Sequence, residues 1–409
     1  MTTPTTGEQH ELEITRMAHG GEGIATLDGR VVFVRGAYPG DRIRATVTEV
    51  KKNFARAGFD AVLQASPLRV EQRCPAAAQG AGCCDFGDLA PERELELKHE
   101  ILQSQLQRIA KLTELPPTDL VNLAPRTGWR TRMRLGVDAD GRAGLRAARS
   151  NDLITSVGCS QAVPGLLDGV IGEGARTFTP GAEVIVVLDS EGNRHVVESR
   201  RAARGRRTEQ IVSVVEGNGD VVQEADGHRF TFPATAFWQA HVDAPDAYTT
   251  LVRNWLGDLS LDTGGQPVAW DLYGGVGLFV PALADSLGAD AAVHSVELSP
   301  AAARAGQETL ADYDVTFHNA RVEQQVTQLP QPAVVLLDPP RTGAGAKVIE
   351  TLVAARPQAV VHIGCDPATF SRDVAAWAAG GYALEKMTVF NAFPGTHHFE
   401  VIGLLRPAE

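Results

Sequence analysis

No stretch of about 18 uninterrupted apolar residues occurs in this chain, so nothing in it reads as a membrane-spanning helix. The polar opening MTTPTTGEQH has no signal-peptide pattern, and the expected compartment is a reducing cytoplasm. An excess of positive charge is missing too: 38 Lys and Arg stand against 50 Asp and Glu, a formal net charge of -12, which disfavours an indiscriminate nucleic-acid binder. Cysteine is sparse and odd in number, at Cys74, Cys83, Cys84, Cys159 and Cys365. In a reducing cell such a set points to metal binding or catalysis more than to disulfides. What is present is the composition of an ordinary globular protein, 44% apolar and 22% charged. A length of 409 residues is more than one hydrophobic core usually organises.

Three regions differ in pattern. Residues 10–66 carry short apolar or alternating runs, such as Val31-Val-Phe-Val34 and Arg42-Ile-Arg-Ala-Thr-Val47, between turn signals such as Tyr38-Pro-Gly-Asp41. That spacing predicts a small β-barrel, an OB-like fold over residues 1–66 closed by Pro67. Residues 67–225 form a central region: a surface helix over 91–112, with apolar positions at Leu95, Ile101, Leu102, Leu106, Ile109 and Leu112, then a β-rich domain. From 226 to 409, strands at Val268–Asp271, Ala292–Glu297, Val334–Asp338 and Ala359–Ile363 alternate with Ala-rich helical stretches. Alternation of this kind predicts an α/β domain with a mostly parallel, doubly wound, Rossmann-like sheet.

Chemistry concentrates at the ends of those strands. Asp271-Leu-Tyr-Gly-Gly-Val-Gly277 turns from strand to helix through Tyr273, Gly275 and Gly277, where the backbone can approach a ligand. Glu297, ending the next strand, suits the hydroxyl pair of a ribose, so a nucleoside-containing cofactor is implied. A dinucleotide and S-adenosylmethionine both fit that pattern, and an NAD(P)-dependent oxidoreductase is one reading. The later strands favour a methyl transfer. Asp338-Pro-Pro-Arg-Thr-Gly343 places a carboxylate on a stiff turn at the sheet edge. Cys365 follows a strand and precedes a helix, where its thiolate would be favoured as a nucleophile. Glu400 opens the last strand and is a candidate base.

Together with Phe237-Trp-Gln239, Gly364-Cys-Asp-Pro-Ala-Thr369, Ser371-Arg-Asp373 and Pro394-Gly-Thr-His-His-Phe-Glu400, these motifs stand in an order that resembles a known family. It is the class I S-adenosylmethionine-dependent RNA methyltransferases that make 5-methyluridine and carry an N-terminal TRAM domain. His19-Gly-Gly-Glu-Gly23 and Val34-Arg-Gly-Ala-Tyr-Pro-Gly-Asp41 look like the TRAM barrel, so the resemblance covers most of the chain. It implies that Cys365 adds to carbon 6 of uracil, that carbon 5 then takes the sulfonium methyl, and that Glu400 removes the carbon 5 proton. Asp338 would contact base or cofactor. Gln239, Tyr273, Gly275, Gly277, Glu297 and Asn319 match cofactor-binding places. His241, Gly274 and Asp366 depart from the residues common in the family.

The resemblance also bears on the remaining cysteines. Many members hold a [4Fe-4S] cluster on four cysteines, and Cys74, Cys83, Cys84 and Cys159 fall in those places. The adjacent Cys83-Cys84 pair departs from the usual spacing, and zinc or a metal-free site are the alternatives. The expected partner is a structured RNA, ribosomal or transfer, met by a monomer. Residues 121–210 hold 14 Lys and Arg against 10 Asp and Glu, unlike the rest of the chain. Three basic patches stand out, two of them around aromatics: Arg126, Arg130, Arg132 and Arg134 around Trp129; Arg200, Arg201, Arg204, Arg206 and Arg207; and Lys51, Lys52 and Arg56 around Phe54. A non-catalytic RNA-binding protein on the same fold is the other rival, although Cys365 and Glu400 are both present.

Overall fold

The computed structural model describes residues 4–204, 207–262, 265–288 and 290–408, and the side chains of 202–204 and 207–209 lie outside that description. The N-terminal runs form six strands, β1 (Gln9–Glu13), β2 (Arg16–Ala18), β3 (Glu22–Leu27), β4 (Arg30–Arg35), β5 (Arg42–Val50) and β6 (Phe54–Gln64). They pair in the order β1-β5-β6-β4-β3-β2. Alternate residues, among them Val32, Val34, Ile43 and Ala45, turn inward and are fully buried, as a period of two requires.

A short helix α1 (Pro75–Ala78) and a longer one, α2 (Glu94–Gln105), follow. The helix expected over 91–112 is realised in three windings: a 3-10 turn at Pro91–Arg93, α2, and a π turn over Leu106–Ala110. The central sheet contains β8 (Arg132–Val137), β9 (Ala143–Arg146), β10 (Leu153–Ile154), β11 (Glu183–Leu188), β12 (Arg194–Arg204) and β13 (Arg207–Glu216), whereas β7 (Thr118–Asn122) leaves it to pair elsewhere. A hairpin of β14 (Asp220–Ala225) and β15 (His228–Pro233) comes next, so the boundary drawn at residues 225 and 226 cuts its turn.

The last region is built as the alternation predicts. Helix α3 (Ala244–Gly257) leads into β16 (Val268–Leu272), α4 (Val280–Leu287), β17 (Ala292–Glu297), α5 (Pro300–Thr309), β18 (Val315–Asn319) and α6 (Val322–Gln325). The chain continues through β19 (Val334–Leu337), α7 (Ala346–Ala354), β20 (Ala359–Gly364), α8 (Pro367–Ala379), β21 (Tyr382–Asn391) and β22 (Glu400–Pro407). The sheet order is β18-β17-β16-β19-β20-β22-β21-β7. Strands β16 to β20 are parallel, β22 runs antiparallel between β20 and β21, and β7 pairs parallel with β21 at the edge. Both faces are covered: Val334 and Leu336 enter one core while Val335 and Leu337 enter another. The order reverses beside β16, between β17 and β19, which opens a crevice at the strand ends.

Candidate functional site

At that crevice β16 ends and the chain turns through Tyr273, a non-glycine residue at φ 62°, and then Gly275 at 58° and Gly277 at 84°. A left-handed tyrosine is a conformation that surrounding structure must hold in place. Gly274 is fixed for a different reason: a Cβ there would lie 2.2 Å from Asp271 Oδ2 and 2.3 Å from Ser295 Oγ. Glu297, ending β17, accepts hydrogen bonds from Gly275 N at 3.0 Å and Ser299 N at 2.6 Å. A cavity is lined by Phe237, Gln239, Tyr273, Gly275, Phe279 and Asp338, among others. Two expected cofactor residues do other work. Gly277 makes room for Phe317, 2.7 Å from where its Cβ would stand, and Asn319 donates its side-chain amide to the carbonyls of Glu297 and Leu298. Phe237, 67% exposed at the rim, is a large apolar surface that the sequence reading quoted without assigning a role.

The candidate reacting groups stand at the next strand ends. Gly364 pairs with Val401 in the β20–β22 ladder, so Cys365 and Glu400 continue it as opposite neighbours. Glu400 is buried, and its Oε2 has no partner. Burial pushes its carboxyl well above the ordinary range, the Asp338 charge adds to this, and Arg341 opposes it. Burial likewise pushes Asp338 up to about 7, against a bond from Gln239 that lowers it.

The expected thiolate-favouring position of Cys365 is corrected by the structure. Burial first, then the carboxylates of Glu400 and Asp338, push the thiol up to about 12, with Arg341 opposing. The helix start does not help the sulfur, because Asp366 is the N-cap of α8 and takes the amides of Ala368 and Thr369 at 3.0 and 2.9 Å. Burial pushes Asp366 up, but the His19 bond and those amides outweigh it and hold the carboxyl at about 2. His19 reaches it from the barrel, Nε2 to Oδ2, at 3.0 Å. Tyr248 on α3 is a residue the sequence reading missed: it is fully buried, its hydroxyl is unpartnered, and it lies in the field of Glu400, Asp338 and Cys365. A single tyrosine on an apolar helix face gives no signal in sequence beyond that of core.

The turn before Glu400, residues 393–399, is gripped from the central region. Gly395 N donates to Glu94 Oε2 at 2.9 Å, and His397 N donates to Asp85 Oδ1 at 3.1 Å. Gln161 Nε2 joins the carbonyls of Cys83 and Pro394. Lys98, fully buried on α2, donates to Asn391 Oδ1 at 2.6 Å. His241, a departure from the family pattern, stacks on Trp129 at 5.4 Å and accepts from Asp243 N.

Cys74, Cys83, Cys84 and Cys159 converge, as expected from their places in the chain, with all four sulfurs within 4.8 Å of one another. A [4Fe-4S] cube does not fit that spacing, since it holds its thiolate sulfurs about 6.4 Å apart.

The basic patches are realised unequally. Trp129 is 0% exposed and unable to stack on a base, while Arg132 spends its guanidinium on the carbonyls of Ala234 and Ala236. Arg126 and Arg134 are exposed, and Arg130 is half-buried. Arg56 pairs with Glu22 and Glu49. Arg206 and the side chains of Arg204 and Arg207 lie outside the described residues. Arg200 and Arg201 are exposed and line an approximately 850 Å³ cleft with Arg134 and Arg146. Those last two arginines, which share Glu183, also line a second cleft with His397, with Arg35, which pairs with Asp85, and with Arg149, which pairs with Glu22.

Known proteins share both ends of this architecture. Residues 5–59 match the TRAM domain family and residues 317–407 match the tRNA (Uracil-5-)-methyltransferase family. An uncharacterized RNA methyltransferase of Corynebacterium efficiens is 58% identical, over 98% of this chain and 95% of its own length. One of Streptomyces avermitilis is 36% identical, over 98% and 99%. The Pyrococcus abyssi tRNA (uracil-54, C5)-methyltransferase, solved in complex with S-adenosyl-L-homocysteine, superposes with a TM-score of 0.69 at 19% identity, covering 96% of this chain and 99% of that one. The chain belongs to the RNA methyltransferase family, with a TRAM domain at one end and a uracil-5-methyltransferase domain at the other. It is by class an S-adenosylmethionine-dependent RNA methyltransferase acting at carbon 5 of uracil, and the oxidoreductase and non-catalytic alternatives fall away.

Proposed function

We propose that this chain methylates carbon 5 of one uridine in a folded RNA, with Cys365 as nucleophile and Glu400 as base. The single observation that supports these roles best is the ladder register that sets Cys365 opposite Glu400, beside Asp338. Carbon 5 of uracil is a weak nucleophile. Addition of the Cys365 sulfur to carbon 6 moves the ring π pair toward carbon 5 and O4, which makes carbon 5 reactive. S-adenosylmethionine, when bound, supplies the sulfonium methyl that carbon 5 takes up. Glu400 then removes the carbon 5 proton through its unpartnered oxygen, the double bond re-forms, and the Cys365 thiolate leaves.

Gln239, Tyr273, Gly275 and Asp338, which line one small pocket, are the residues proposed to meet the cofactor, with Phe237 offering a face for a planar ring. Glu297, which already holds Gly275 N, has a carboxylate suited to ribose hydroxyls. Gly277 and Asn319 shape this end from behind. The target nucleotide has to leave its stack to reach the half-buried Cys365. The arginine-lined clefts offer phosphate contacts to the surrounding RNA. No helix among the described residues is long and apolar enough to cross a membrane, and five unbridged cysteines suit a reducing cytoplasm.

RNA carrying 5-fluorouridine provides the test, because fluorine at carbon 5 cannot be removed as a proton and traps the adduct. A covalent enzyme–RNA species is expected with the native chain and none with Cys365→Ala; an adduct that persists in the variant overturns the assignment of the nucleophile. Comparing 5-methyluridine in ribosomal and transfer RNA from cells with and without the gene identifies the substrate.

A further inference from the structure

We infer that Cys74, Cys83, Cys84 and Cys159 hold one tetrahedral, zinc-class divalent ion rather than an iron–sulfur cluster. The Sγ separations are 3.7 Å for Cys74–Cys83, 3.8 Å for Cys74–Cys159 and 3.5 Å for Cys84–Cys159. A zinc ion bound to four thiolates at about 2.3 Å sets the sulfurs of a regular tetrahedron about 3.8 Å apart. These three edges match that figure, and every edge lies within 4.8 Å. In a [4Fe-4S] cube the cysteine sulfurs lie outside the four irons, about 3.9 Å from the centre, so every sulfur here would have to retreat by roughly 1.6 Å.

The surroundings do not offer that retreat. Cys74, Cys84 and Cys159 are 1%, 3% and 5% exposed and share a core with Leu135, Leu166 and Val170. Close-packed interiors yield by tenths of an ångström before they lose stability. The backbone at each corner is tied as well. Ala78 N donates to Cys74 O at 2.9 Å, Gly87 N to Cys84 O at 3.0 Å, and Gln161 Nε2 to Cys83 O at 3.0 Å. A Cβ at Gly82 would lie 3.2 Å from Ala148 Cα, which closes the loop against its neighbour. A disulfide is not the explanation, since its S–S bond is about 2.05 Å and it would gather two sulfurs, not four.

Such an ion has no redox chemistry of its own. Its place in the molecule gives it a mechanical task. Asp85 directly follows Cys84, and Gln161 lies two residues after Cys159; both hold the turn that leads to Glu400. The ion would therefore position the base without touching substrate.

The full-length chain, purified without oxygen and without added metal, is analysed for zinc, iron and acid-labile sulfide, and its metal environment is measured by X-ray absorption. One zinc per chain, no labile sulfide and four sulfur neighbours at about 2.3 Å are expected. Chain stripped of metal and reloaded with cobalt(II) should show the ligand-field bands of a tetrahedral thiolate site. Four irons with four sulfides per chain overturn the inference, as does a metal-free chain that takes up neither zinc nor cobalt. Cys83→Ser, at the half-exposed corner, should release zinc to a chelator at least 10-fold faster while the native chain serves as the folded reference; unchanged release also overturns it. None of these readouts depends on methylation, so the metal assignment and the catalytic roles fail separately.

Discussion

Burial pushes the Glu400 carboxyl up, against the ionised form that the proposed reaction needs. Burial raises its carboxyl and the neighbouring Asp338 charge adds to the effect, while Asp338 itself sits at about 7. The sign follows directly: Asp338 loses its proton as the pH rises through about 7, and Glu400, shifted in the same direction, is freed to accept a proton only as the pH rises. Turnover is therefore expected to climb between about pH 6 and pH 8, where an ordinary carboxylate near 4.3 would give a flat profile. Glu400→Gln should lower turnover by roughly 10²–10⁴-fold and accumulate the covalent RNA adduct, because addition to carbon 6 survives while proton removal is lost. An adduct level no higher than native would assign the base elsewhere. Cys365 shows why residue identity alone misleads: a cysteine before a helix suggests an easily ionised thiol, but Asp366 occupies the helix amides and two carboxylates oppose a third negative charge.

At the scale of elements, the β16–α4 turn rests on a close approach. Gly274 leaves no room for a methyl group beside Asp271 and Ser295, so Gly274→Ala is expected to cost about 1–3 kcal/mol of stability by overpacking. S-adenosylmethionine should raise the Tm of the native chain and leave the variant unmoved, and NAD should move neither. An equal shift in both would mean that the turn is not part of the cofactor site. Strand ends of this kind were readable in the sequence because each places its chemistry within a few residues of an apolar run. Glu297 ends β17, Asp338 and Cys365 directly follow β19 and β20, and Glu400 opens β22, whereas Asp271 lies one residue inside the end of β16. Patches were less readable. Whether Trp129 faces solvent depends on His241, more than a hundred residues away in the chain, and Arg132 is consumed by carbonyls of Ala234 and Ala236. No local pattern encodes such pairings.

For the whole molecule, the candidate site is assembled from every region. His19 of the barrel bonds Asp366 beside Cys365, and Glu94, Asp85 and Gln161 of the central region secure the turn before Glu400. His19→Ala is expected to lower kcat several-fold while leaving S-adenosylmethionine affinity unchanged, since the cofactor cavity lies on the other side of β19 from this contact. A loss confined to cofactor binding would contradict that role. The barrel near one end and the parallel sheet of the other were visible in the sequence. The departure of β7 to the edge of the last sheet was not, because a five-residue strand carries no mark of its partner.

That strand bears on how the protein is made. Translation delivers β7 to the ribosome exit long before β21, its partner at the sheet edge, has been synthesised. The barrel can fold as it emerges, as N-terminal domains generally do. The last sheet has to keep one of its edges waiting until β21 is made, so a chain truncated shortly before β21 would retain the β16–α4 turn yet leave β7 with an unsatisfied backbone and an invitation to aggregate.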